Sequence, residues 1–372
     1  MQISSRPTGT GSGLLIEINQ PKKLNALDLE SFLELDRLLR DAAANPSVSF
    51  VAIWAPTDSN PKAFCAGGDV RRLYDEFKKS NDLGYGSSFF RSEYQVDQRV
   101  WKFPKPLLAF THGITMGGGI GLIRGAPIRL ICESSVWAMP EISIGLYPDV
   151  GATYFFKQLP PTWAAFMALT GARIGPKDLL ELGLGTHCCL QEDLSVLVTD
   201  LDQIRVPAGA SSKQILDLLL SPILQRQLTP NTRSWKQDWA LIERLFGAIT
   251  TSPMSAQELA HELLLAARQT SLRDDCSTEL RQALETFIKG SSLSICLILE
   301  QLRQRLSLEE AFAWEYEASI GCMKEGDFFE GVRSRLVDKD FQSPGKPQWK
   351  YPSPEEIPKA ALSRLLPAAK SR

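Results

Sequence analysis

Two glycine turns and two carboxylates in apolar surroundings are the residues of this chain best suited to chemistry. "CAGGD" (65–69) and "MGGGIG" (116–121) each follow a strand-like run and lead into a helix-like one. Backbone N–H groups at a helix start have no partner inside the helix and lie at the positive end of its dipole. Two such turns facing each other would aim two donors at one oxygen that gains negative charge. That is an oxyanion hole, in which loss of one donor raises the barrier by ~3 kcal/mol. The glycines also fit a plainer use, which is to let a helix pack tightly on a strand. A phosphate loop fits less well. "MGGGIG" lacks the Lys and the Ser or Thr that hold phosphate and magnesium, and Glu133 follows too soon for a ribose contact.

"WAMPEISIGLYPDVG" (137–151) carries the acids. Glu141 follows Pro140 and Asp149 follows Pro148, among Ile142, Ile144, Leu146, Tyr147 and Val150. Desolvation raises the pKa of such a carboxylate toward the range of a working base. Asp149 also suits a helix cap for "VGATYFFKQL"; Glu141 has no such structural use. His112, beside the second turn, reads as a residue packing that turn. The chain has only three histidines and no GxSxG elbow to supply a triad serine.

Strands, helices and turns must hold these groups. "GLLIEI" (13–18), "VSFVAIWA" (48–55), "KPLLAFTHG" (105–113), "IRLICES" (128–134) and "VWAM" (136–139) read as strands. Residues 27–46, 64–79 and 89–103 carry helical spacing, and "GGIGLIRG" continues the second turn as a short helix. The alternation predicts an α/β fold with ligand loops at strand ends. "RVPAGASSKQ" (205–214) reads as a linker, after which only amphipathic helices appear. Three parts are expected: a core over 1–204, a helical region over 205–345, and an extended Pro-rich tail over 346–372.

The 372 residues are 44% hydrophobic and 23% charged, with a formal net charge of -2. That is an ordinary globular composition with no field drawing it to nucleic acid or an acidic membrane. No stretch is long and apolar enough for a transmembrane helix. The N-terminal run predicts a cytoplasmic protein, or a mitochondrial matrix protein if a presequence has been removed. The seven cysteines read as buried, reduced side chains. Cys188 and Cys189 beside His187 lack further ligands at zinc spacing, so no metal is expected.

"KAFCAGGDV", "HGITMGGGIGL", "AMPEISIGLYPDVGATYF" and "EGDFFEGVRSRLVDKD" together resemble the enoyl-CoA hydratase/isomerase (crotonase) superfamily. They look most like its 3-hydroxyisobutyryl-CoA hydrolase branch. The resemblance runs from about residue 8 to about 349. It implies a crotonase-like spiral of ββα units with a C-terminal helical region that packs on the core or on a partner subunit, which leaves a homo-oligomer open. It also implies an acyl-CoA substrate, valine catabolism, and no cofactor beyond the CoA of the substrate. On this resemblance the carbonyl-binding amides are those of Gly68 and Gly118. Glu141 falls on the catalytic glutamate, Asp149 on the aspartate that marks the hydrolase branch, and Glu93 on an acidic substrate contact. Hydratases carry a second glutamate where this chain has Gly121, and commonly a glycine where it has Asp149. Both departures favour hydrolysis over hydration or isomerisation; a non-catalytic acyl-CoA binder is the third alternative. Lys22, Lys23, Arg71 and Arg72 are candidates for the nucleotide end of CoA.

Overall fold

The computed structural model describes residues 2–366. Nine strands occur among them: β1 (Ile3–Pro7), β2 (Gly13–Ile18), β3 (Phe50–Trp54), β4 (Ala63–Cys65), β5 (Leu107–Phe110), β6 (Ile114–Met116), β7 (Ile128–Cys132), β8 (Val136–Ala138) and β9 (His187–Cys189). They form a six-stranded sheet in the order β1-β2-β3-β5-β7-β9 and a three-stranded sheet in the order β4-β6-β8. β1 and β2 are antiparallel, and the steps from β2 to β9 are parallel. Strand pairs β3–β4, β5–β6 and β7–β8 each place one strand in the large sheet and the next in the small one. This is the spiral of ββ turns that the resemblance implies.

The chain divides into two compact units. The first comprises residues up to Gly68, Ser92–Trp137 and Ile174–Ser234; the second comprises Asp69–Arg91, Ala138–Arg173 and residues from Trp235 on. These units cut across the division expected at 204/205. The helix Ser212–Gln225, placed by sequence in the C-terminal helical region, belongs to the sheet unit. Its Ile215, Leu219 and Ile223 pack with Leu194, Leu197 and Leu201 of the helix Asp193–Gln203 against Leu15, Phe50, Leu108, Phe110 and Leu130 of the parallel sheet. Each fully buried side chain of this kind contributes roughly 1.5–3 kcal/mol. β3 and β5 are apolar without alternation and buried along nearly their whole length, as strands of a parallel sheet covered on both faces usually are.

The second unit is helical. Ala256–Ser271 and Leu308–Lys324 begin in capping boxes, Ser255 with Glu258 and Ser307 with Glu310. Ser277 and Ser291 cap Thr278–Ile288 and Ser292–Leu302. The helix Pro161–Thr170 is buried at every position from Thr162 on. Its Phe166 meets Trp163, Trp235 and Phe246 at centroid distances of 6.3, 4.9 and 5.9 Å. The tail expected to be extended contains a helix at Lys359–Leu365; residues 367–372 lie outside the described residues.

Candidate active site

In the sheet unit the two glycine turns meet backbone to backbone. Asn25 fixes the first one. Its side-chain amide donates to the carbonyls of Ala63 (3.2 Å) and Phe64 (3.0 Å), and its side-chain oxygen accepts the Gln20 N–H. The Gly67 carbonyl accepts the Leu27 N–H at 2.8 Å, and Leu27 bridges Gly68. The second turn opens the helix Gly118–Arg124, so the Gly118 N–H sits in the first turn without an intrahelical acceptor. A side chain would not fit between the turns. A Cβ on Gly67 would lie 3.4 Å from Gly118 N and 2.8 Å from the Met116 carbonyl. A Cβ on Gly118 would lie 3.3 Å from Gly68 N and 2.2 Å from Glu93 Oε1. Gly68, Gly118 and Glu93 therefore come together, with Glu93 buried on the helix Gly84–Trp101. Two amides this close can donate to one oxygen.

Cys65 lies in the same turn and is no nucleophile. Burial, with smaller contributions from the Glu93 and Asp97 charges, pushes its thiol up to about 12. Its Sγ donates to the Asn25 carbonyl at 3.2 Å. His112 is fully buried, and its Nε2 lies 2.8 Å from the Asn60 carbonyl. Burial holds its pKa below the ordinary value, which fits the structural role expected of it.

In the helical unit Glu141 heads the 3-10 turn Glu141–Ile144, directly after β8. The turn is clasped by glycines of distant segments. A Cβ on Gly331 would strike Ile144 backbone at 2.2 Å, and one on Gly290 would strike Ile142 Cγ1 at 2.6 Å. A Cβ on Gly145 would come within 2.4 Å of the Asp327 backbone. The Asp327 carboxylate is fixed in turn by Ser291 Oγ (2.5 Å) and Lys350 N (2.7 Å). In "EGDFFEGV", Gly331 and Asp327 thus pack against Ile144 and Gly145 of the turn that Glu141 heads.

Glu141 is 5% exposed, and its Oε2 is buried without a hydrogen-bond partner. Burial pushes its pKa well above the ordinary value, the Asp149 charge adds to the rise, and its own backbone N–H opposes it. Asp149 is 4% exposed. Two acids thus share one buried region, and the Asp149 charge disfavours ionisation of Glu141.

Three residues that sequence reasoning missed hold the Asp149 loop. Glu315, fully buried on Leu308–Lys324, accepts the N–H of Gly151 at 2.7 Å and of Thr153 at 2.8 Å. The Tyr147 hydroxyl lies 3.0 Å from Ser319 Oγ and donates to the Glu315 carbonyl. Gln301 donates to the Pro148 carbonyl and to Thr153 Oγ1. The bonds hold a strained turn. Val150 has φ of 53° and Gly151 has φ of 89°. A β-branched residue at positive φ costs on the order of 1–3 kcal/mol. A signal for Glu315 existed in the sequence. It shares a helical stripe with Ala311, Ala318 and Cys322, an acid at an otherwise apolar spacing.

The four candidate CoA-contacting cations are not collected in one unit. Lys22 and Lys23 are exposed on the 3-10 turn Pro21–Lys23 of the sheet unit. In the helical unit Arg71 pairs with Asp75 at 3.9 Å, and Arg72 lies over the Tyr85 ring at 5.3 Å.

The model of the family described as enoyl-CoA hydratase/isomerase matches residues 14–366. The chain belongs to the enoyl-CoA hydratase/isomerase family. Among curated relatives, a mitochondrial 3-hydroxyisobutyryl-CoA hydrolase from Gallus gallus is 35% identical over 93% of this chain and 84% of its own length. The protein of the same description from Homo sapiens is 32% identical over 94% of this chain and 84% of its own length. Among solved structures, an enoyl-CoA hydratase from Rhodobacter sphaeroides superposes with a TM-score of 0.79 at 29% identity, covering 98% of this chain and 97% of that one. A carnitinyl-CoA dehydratase from Mycobacterium thermoresistibile gives 0.80 at 22% identity over 98% and 96% of the two chains, which supports the fold alone. Members of the enoyl-CoA hydratase/isomerase family therefore share this spiral along nearly its whole length.

Proposed function

We propose that this member of the enoyl-CoA hydratase/isomerase family hydrolyses an acyl-CoA thioester, converting 3-hydroxyisobutyryl-CoA and water to 3-hydroxyisobutyrate and CoA. Valine breakdown is the pathway this implies. The observation that carries the reading at the site is Glu141, a buried carboxylate with one oxygen unpartnered and a raised pKa. Relatives named as 3-hydroxyisobutyryl-CoA hydrolases, matched over most of the chain, support the substrate.

In this reading the amides of Gly68 and Gly118 accept the charge that develops on the thioester oxygen. Glu141 then acts in one of two ways. As nucleophile it attacks the carbonyl, CoA leaves as thiolate, and water opens the resulting anhydride to regenerate the carboxylate. As general base it takes a proton from water while the water oxygen attacks, and the departing thiolate is protonated afterwards. Asp149 orients Glu141, the water or the substrate hydroxyl. Glu93, beside the amides, accepts that hydroxyl's hydrogen bond. The relatives' names place them in mitochondria, and a matrix location is compatible with this chain. No helix among the described residues is long and apolar enough to cross a membrane.

The test is a panel of acyl-CoA thioesters scored by release of free thiol. Release from 3-hydroxyisobutyryl-CoA that disappears in Glu141→Gln supports the reading. A second reading, hydration of an enoyl-CoA, is favoured by the Rhodobacter structure. Loss of enoyl absorbance on crotonyl-CoA without thiol release would establish it in place of hydrolysis.

A further inference from the structure

We propose that Glu315 is a positioning residue for Asp149, its carboxylate closing on the Gly151 and Thr153 amides to hold the left-handed turn at Val150 that aims Asp149. The inference rests on the reading that Asp149 takes part in hydrolysis. A turn that brings nearby backbone N–H groups toward one point makes a small anion-binding cradle. Here the cradle follows Asp149 directly, and the group that fills it is a carboxyl of the chain itself, 164 residues away for the Gly151 bond. Valine is a poor residue for this conformation, so the turn persists only where its surroundings over-determine it. The contacts that do so come from two helices. Glu315 and Ser319 stand four residues apart on one face of Leu308–Lys324, and Gln301 lies in the last turn of Ser292–Leu302. Tyr147, Pro148, Gly151 and Thr153 are all held by these three residues, so Asp149 lies in the middle of a loop fixed on both sides. Rotation of that backbone would swing the Asp149 carboxylate relative to Glu141, four residues before Gly145 on the same unit.

The test uses Glu315→Gln, Val150→Gly, their combination, and Asp149→Asn, with steady-state thiol release and thermal unfolding on each. Glutamine keeps the shape but can accept only one of the two N–H bonds. Its kcat is expected to fall roughly 10- to 100-fold, the scale of a displaced catalytic group, with KM little changed and folding retained. Glycine at 150 takes the left-handed conformation without strain. The double variant is therefore expected to recover kcat to within about threefold of Val150→Gly alone. A merely structural Glu315 would lower thermal stability without this rescue. If Asp149→Asn is inactive while Glu315→Gln keeps the parent kcat, or if Val150→Gly restores nothing, the positioning role is overturned and the hydrolase reading stands. If Asp149→Asn hydrolyses at the parent rate, the reading of Asp149 itself is overturned.

Discussion

Gly118→Ala adds one methyl group to the point where the two glycine turns meet. The new Cβ would stand 2.2 Å from Glu93 Oε1 and 3.3 Å from Gly68 N. Ordinary contact begins near 3.4 Å, so the Glu93 carboxylate must retreat by about 1.2 Å. Glu93 is 3% exposed and cannot swing into water. The backbone itself does not object, because Gly118 is not among the residues at positive φ. Alanine in a helical position even gains about 0.5–1 kcal/mol over glycine. Set against an overpacking cost of about 1–3 kcal/mol, the net loss of stability is small. Activity should suffer far more. The methyl fills the space next to both amides, where a thioester oxygen would lie, and displaces the acid beside it. Loss of one oxyanion donor lowers kcat by roughly 10²–10³-fold, and a comparable fall in kcat/KM is expected in the thiol-release assay. Gly175→Ala serves as the control. A Cβ there meets nothing closer than 3.8 Å, and its φ is -87°. Gly118→Ala with kcat/KM within about threefold of the parent would refute the placement of the oxyanion site.

Glu141→Gln should abolish thiol release while the protein unfolds at an equal or higher temperature, since it removes a buried carboxylate with an unpartnered oxygen; calorimetry and the assay on one preparation check both halves. The kcat/KM profile should rise with pH along an acid limb above the ordinary glutamate value, because Glu141 must be ionised to act and its pKa is raised. Asp149→Asn removes the like charge, so whatever activity remains should have its acid limb at lower pH; an unmoved limb would show that the two acids do not couple. Glu315 titrates at about 8 in the folded protein, mainly because it is buried, against 4.5 ordinarily. A raised folded pKa gives stability that is complete below pH 4.5 and lost as pH climbs to about 8. Its share is roughly 5 kcal/mol at most, and Glu315→Gln should flatten the urea-unfolding free energy across that window.

How much of this could be read from the residues depended on how far the chain had to travel to build each part. Gly67, Gly68 and Gly117–Gly119 were legible because each turn is made locally, by a strand end running into a helix start. The Glu141 and Asp149 carboxylates were legible as acids in an apolar run of fifteen residues. Glu93 was named only by resemblance: it shares the buried face of its helix with Phe89, Phe90, Val96 and Asp97, and that spacing states that the face is buried, not that Gly118 packs on it. The strands β4, β6 and β9, three residues each, are too short to show a period of two. The neighbours of the helix Ser212–Gln225 were left open between the core and a partner subunit, because an amphipathic pattern states that a face is buried, not against what. Glu315, Gln301 and Ser319 escaped for the same reason. Their partners are more than 140 residues away in sequence.

The arrangement around the Asp149 loop also says which substitutions the fold would welcome and the chemistry would not. Leu308–Lys324 and Ser292–Leu302 place the polar side chains of Glu315, Ser319 and Gln301 at buried positions, where each bonds the loop. A buried acid near Asp149 is a poor choice for stability, as its pKa, raised mainly by burial, records. Val150 at positive φ is a second such choice. Each is unfavourable alone, and they meet at one loop: the acid receives the N–H groups that the strained turn presents. Local conflicts that resolve one another in this way concentrate at functional sites, where strain is retained because it sets a geometry. On this argument Val150→Gly and Glu315→Gln should each look harmless or favourable to a stability screen. Their coupling should appear in kcat, as a double-mutant interaction between two residues that meet at one loop.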